Sequence, residues 1–195
     1  MKKSVIFTSL LPFLFASMTN AAGTNVITED GQLIIKATVE GSSCHFSSDG
    51  GNSAVIDMGI ISTSDVYKLA IGSVDTTKWN NEGDVLEIIC PDNVKLNQIT
   101  FDPTLFSAVH SGLLQDDNGD ATGVGFAVNF HNTDSASVQI TQKNQVVDVS
   151  SLTGTSTGEG GVMYSLKFDA RWARLAQVVK AGDVKSTIKF TVETD

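Results

Sequence analysis

The sequence predicts an all-β fold, an antiparallel sandwich, from three observations. Apolar residues recur with a period of two in several short runs, polar Gly-, Asn- and Asp-rich segments separate those runs, and helix signals are nearly absent. In chain order, Ile35, Ala37 and Val39 alternate with Lys36, Thr38 and Glu40. Val85 to Ile89 is a β-rich run that ends at Cys90. Val124, Phe126, Val128 and Phe130 alternate with Gly125, Ala127, Asn129 and His131. The clearest pattern closes the chain: Val184, Ile188, Phe190 and Val192 share one face, and Lys185, Thr187, Lys189, Thr191 and Glu193 share the other, so one face is buried and the other wet. The segments "SSDGGNS", "WNNEGD", "DDNGDATG" and "TGTSTGEGG" carry the turn-forming residues between strands. Phe168 to Val179, "FDARWARLAQVV", reads as a strand with Phe168, Ala170 and Trp172 inward in preference to a short helix.

The first 22 residues have the layout of a secretory signal peptide. Lys2 and Lys3 precede an apolar stretch from Val5 to Phe15 that is too short to span a bilayer, and the small residues Thr19, Ala21 and Ala22 set a cut after Ala21 or Ala22. No acidic residue lies in this leader, so its loss takes only lysines from a chain that already carries 13 basic against 22 acidic side chains and a formal charge of −9. Phosphate binding needs clustered Lys and Arg, so a nucleic-acid partner is not expected. The length suits one domain with a substantial core. The only two cysteines, Cys44 and Cys90, both lie in the exported part, where an even pair predicts a disulfide. Metal ligation is disfavoured, because two Cys without CxxC spacing or paired His give no tetrahedral set.

Three motifs resemble chemistry and fail on context. "GTSTG", Gly154 to Gly158, has the G-x-S-x-G spacing around Ser156, but all three histidines, His45, His110 and His131, precede it and the following "EGG" starts no helix. Asp116, Asn118 and Asp120 occupy the first, third and fifth places of a calcium loop, yet Ala121 stands where Gly is required and Ala127 where a bidentate Glu belongs. The histidines are scattered, and Trp79 and Trp172 read as packing rather than sugar-stacking residues. The sequence therefore nominates no catalytic residue, no metal site and no cofactor.

The segment before the first clear strand is itself strand-like. Ile27, Glu29, Gly31, Leu33 and Ile35 lie on one face of an extended chain, mostly apolar with a glycine in the middle. Taken with the leader, the two cysteines, "ATGVGFAV", "FDARW" and the ending "AGDVKSTIKFTVETD", the chain resembles subunits of the chaperone-usher pilin class over residues 23–195. That resemblance implies an incomplete immunoglobulin-like sandwich, residues 37–195, lacking its final strand. It further implies a donor-strand extension, residues 23–36, that fills the groove of a neighbouring subunit through Ile27, Glu29, Gly31, Leu33 and Ile35. The groove strand would carry Val184, Ile188, Phe190 and Val192, with Asp195 supplying the terminal carboxylate for a periplasmic chaperone. Partners implied are other fimbrial subunits, that chaperone and an outer-membrane usher; the chain would be a shaft or adaptor subunit of a surface fimbria serving adhesion. Glu29 and Thr194 depart from the pattern, the one by a charge on the inserting face, the other by replacing a usual aromatic. The competing expectation is a secreted, self-contained β-sandwich that binds carbohydrate or protein through its loops.

Overall fold

Thirteen strands and one helical turn carry the alternating segments in a computed structural model that describes residues 28–39, 44–47, 52–77, 85–119, 122–133 and 135–195, with the side chains of 28–30 and 38–39 outside the description. They are β1 (Thr28–Val39), β2 (His45–Phe46), β3 (Ser53–Ser62), α1 (Thr63–Tyr67), β4 (Leu86–Pro91), β5 (Leu96–Pro103), β6 (Leu114–Gln115) and β7 (Val124–Phe130), followed by β8 (Val138–Gln139), β9 (Gln145–Asp148), β10 (Thr155–Ser156), β11 (Gly161–Leu166), β12 (Phe168–Arg174) and β13 (Asp183–Thr194). The fold is all-β, and its sheets are consistent with a sandwich. One sheet has the order β3-β1-β13-β5-β9; the others run β10-β11-β4-β2 and β12-β7-β6. Only Lys167 separates β11 from β12, so one run of chain serves both smaller sheets.

The sheets face each other across a single main core. Phe101 and Phe190 from the five-stranded sheet meet Phe130 and Phe168 from the opposite side, with Phe101–Phe130 centroids 5.2 Å apart and Phe168–Phe190 centroids 5.9 Å apart. Such offset pairs gain somewhat more than their buried area alone provides. Leu86 and Ile88 of β4, Val128 of β7 and Leu166 of β11 close the same cluster. Phe168, Ala170 and Trp172 are all buried along β12, so the "FDARW" segment is a strand. Cys44 and Cys90 form the expected disulfide, at a sequence separation of 46. A bridge of that span stabilises by about 2–4 kcal/mol, chiefly by restricting the unfolded chain.

One expectation is corrected. The sandwich was expected to lack a strand beside its last one, but β1 occupies that place, paired to β13 over Asp30–Val39 and to β3 over Thr28–Lys36. The reason is the same alternation that marked the arm: a strip of apolar side chains next to an unfilled edge has no lower-energy position than the edge itself. β1 runs without a break from Thr28 to Val39, across residues 36 and 37.

Tyr164 on β11 is 6 % exposed, and burial, reinforced by the nearby Asp195 carboxylate, pushes its phenol above the ordinary value of 10.0. The fold thus resists ionisation that the unfolded chain undergoes freely, so this contribution is complete below pH 10 and is lost as pH rises beyond it. Urea midpoints measured from pH 8 upward are expected to fall above pH 10 in the wild type and to fall less in Tyr164→Phe.

Candidate functional site

The sequence placed its candidate residues on the two ends of the chain, and the structure brings most of them together in one slot. β1 lies parallel to β13, with Gly31 beside Val184, Leu33 beside Ser186, Ile35 beside Ile188, Ala37 beside Phe190 and Val39 beside Val192. Neighbours in such a register point to the same face. Accordingly Leu33, Ile35, Val184, Ile188, Phe190 and Val192 are all buried, while Gln32, Lys36, Lys185 and Lys189 face outward. Full burial of Leu33 and Ile35 is worth about 1.5–3 kcal/mol each. Ile27 lies outside the described residues; Glu29 pairs with Ile61 along the backbone, and its side chain lies outside the description.

β1–β13 is a parallel pair, whereas the other strand pairings among the described residues are antiparallel. The direction follows from connectivity. β1 ends at Val39, beside Val192, and Cys44, five positions further on, is tied to β4 by the disulfide. Entry from the Asp183 end is the direction that puts the exit of β1 near that anchor.

Three features of the slot were not read from the sequence. First, the β1–β3 register shifts at Gly31/Gln32: Gly31 sits opposite Gly59 and Gln32 opposite Asp57, which leaves Met58 as the extra residue of a bulge. Gly59 takes the positive φ of 60° that such a bulge needs, and its N–H donates to Asp57 Oδ1 at 2.8 Å. Second, Met58 O, released from the ladder, accepts a 3.2 Å hydrogen bond from Trp172 Nε1. The Trp172 ring lies over Gly31, where an added Cβ would be 2.5 Å from Cζ2. Trp172 was expected inward, but nothing in a single sequence pairs it with Gly31. Third, the β6–β7 turn clamps the start of β13. Asp116 Oδ1 accepts from Lys185 N at 3.2 Å, Asp117 Oδ1 accepts from Thr187 N at 3.1 Å, and Thr187 Oγ1 donates to Asp117 Oδ2 at 2.5 Å. Ser186, a polar residue on the inward face, donates to Gln115 O at 2.7 Å.

The motifs set aside above have structural roles. Asp116 is spent on β13, and Asp120 lies outside the described residues. Ser156 sits on β10, exposed, in a hairpin with β11 and without a following helix. His131 Nε2 is 2.8 Å from Asp169 Oδ2, a cross-strand partner the sequence did not reveal, and His110 Nε2 lies 3.1 Å from Leu175 O. Trp79 lies outside the described residues. Asp195 is turned toward β5: its N–H donates to Lys95 O at 3.1 Å and its Oδ1 accepts from Lys95 N at 2.7 Å. Among the described residues no group of three or more His, Cys, Asp or Glu is placed to hold a metal ion, and no helix is long and apolar enough to cross a membrane.

No protein-family model matches the chain, and no curated protein matches it.

The slot depends on its inward side chains and little on its outward ones. Ile35→Ala is expected to cost about 2–5 kcal/mol in urea denaturation, because the cavity opens between two fixed sheets. Lys36→Ala, one position away and facing water, is expected to stay within about 0.5 kcal/mol of wild type.

Proposed function

We propose that the chain is a structural subunit of a bacterial surface fibre that polymerises by exchanging β1. The observation that carries this reading is the seating of an N-terminal strand as a central member of the sheet, between β3 and the last strand. Only a terminal strand can leave without unthreading the rest of the chain, and the part left behind keeps its disulfide and its second layer. When β1 of one copy enters the slot of another in the same register, every contact described above is remade between copies. The difference in free energy then reduces mainly to the entropy of association, the condition under which domain swapping is a low-cost route to assembly. Strand addition of this kind supplies main-chain pairing for affinity and side-chain pockets for specificity.

Within this reading the fold is an immunoglobulin-like pilin domain, the leader directs export to the periplasm, a chaperone holds the slot open against β1, and an outer-membrane usher delivers the subunit to the cell surface. Adhesion is a property of the assembled fibre. The home-docked β1 favours one other reading, a secreted sandwich that closes its own sheet and binds carbohydrate or protein through its loops.

The two readings differ when β1 is locked in place. Lys36 and Lys189 are register neighbours on the outward face, so Lys36→Cys with Lys189→Cys staples β1 to its own β13. Unfolded in denaturant and refolded at high concentration, the wild type is expected to give linear polymers by electron microscopy and light scattering, and the oxidised double variant only monomer. Reduction should restore polymer. A wild type that refolds solely to a stable monomer supports the self-contained sandwich.

A further inference from the structure

We propose that the second layer carries a binding pocket for one acidic sugar, a pyranose ring bearing a carboxylate, with Lys167 as its cation. The pocket lies where β11 passes into β12, beside the end of β7 and the segment that leads into β10. None of its residues belongs to β1, β3 or β13, so the inference stands apart from the exchange proposed above. Local alternation aims its polar groups at one place. Tyr164 and Leu166 are buried, which turns Ser165 and Lys167 outward on the same side. Phe130 is likewise buried and His131 follows it outward; the His131 backbone N–H donates to Lys167 O at 3.0 Å, so the two basic side chains leave from paired backbone. Across from them, Gly154 presses on β11, where a Cβ would lie 3.0 Å from Tyr164 Cε1, and its neighbours Thr153 and Thr155 line the pocket on their other side. Leu152 adds an apolar wall.

The chemistry of the lining selects the ligand. In a chain of formal charge −9, no carboxylate lines this pocket among the described residues. Asp169, which holds the His131 imidazole at 2.8 Å, is buried and accepts from Asn129 Nδ2 at 3.0 Å with its other oxygen, so neither oxygen is left to repel an anion. Lys167 Nζ and the hydroxyls of Thr153, Thr155 and Ser165 have no hydrogen-bond partner among the described residues. An ammonium only donates, whereas hydroxyls both donate and accept. One positive charge beside three hydroxyls therefore matches a ligand with one negative charge and several hydroxyls of its own, and matches a phosphate, whose oxygens chiefly accept, less well. The pocket holds about 160 Å³, below the ~300–1,000 Å³ that encloses a drug-sized ligand, so it takes a single ring.

The test is titration of the full chain with glucuronate, glucose and acetate, followed amide by amide in proton–nitrogen correlation spectra. Glucuronate is expected to shift the amides of Thr153, Thr155, Ser165 and Lys167 saturably. It should bind at least roughly 10-fold more tightly than glucose or acetate, the worth of a hydrogen bond to a charged group. Lys167→Gln should abolish the preference over glucose, and Thr153→Val with Thr155→Val the preference over acetate. Acetate binding as tightly as glucuronate marks an adventitious ion only and overturns the inference. Glucose binding equally, shifts confined to other residues, or no saturable shift overturn it as well, and these results come from the wild-type chain, so they need no variant to fold. A folded Lys167→Gln chain that keeps the full preference for glucuronate contradicts the role given to Lys167.

Discussion

β1 is the one strand through which the last strand and β3 are joined. Among the described residues, in the order β3-β1-β13-β5-β9, β3 has no other sheet neighbour, and β13 has β5 on its far side only. Take β1 away and two edges open at once, each with unpaired backbone groups, while Ile56, Ile188 and Phe190 lose the side chains that shield them. Unpaired edges beside an apolar strip are the features that draw in another strand. The chain therefore has a strong need for a β-segment at this place. In this structure the need is met at home; in the proposed fibre a neighbour would meet it through the same contacts.

The opposite layer does not share that dependence. β4 pairs with β11 and β7 with β12, the disulfide ties β4 to the residue before β2, and the phenylalanine cluster holds the centre. What couples the layers at the slot is local: Trp172 on β12, Met58 and Gly59 on β3, and Gly31 on β1. This coupling is stereospecific where hydrophobic burial is not. Leu33 and Ile35 would enter many apolar clefts, but the Gly31 position admits one kind of residue and so fixes the register of the whole strand.

Much of this was legible in the sequence because its signals are local. Alternation identified β7, β12 and β13 with their inward residues, and the cysteine pair needed only the export signal to be read as a disulfide. The inward faces of both chain ends were also visible, as Leu33 with Ile35 and as Val184 through Val192. Their mutual pairing was expected only through the resemblance, and between copies, since a period of two says which face a residue is on and nothing about its neighbour strand. The home-docked position of β1 belonged to the competing expectation of a self-contained sandwich, and ranked second because the resemblance to subunits that lack a strand outweighed the cost of leaving apolar residues in water. Ser186 was hidden for another reason: a polar residue on a buried face is acceptable only through its bond to Gln115 O, which belongs to a distant turn. The bulge at Met58 and the carboxylate clamps of Asp116 and Asp117 on β13 are likewise long-range features with no local signature.

A strand that can be exchanged must be able to leave before the rest of the fold does. Native-state hydrogen exchange on the full chain, followed amide by amide at increasing sub-denaturing urea, addresses this directly. The account predicts that amides of β1 exchange through a local opening with a small urea dependence and a free energy well below that of β4, β7 and β12. If β1 amides instead exchange only together with those strands, at the same free energy and the same urea slope, β1 is an integral part of a closed sheet and is not available to a neighbour.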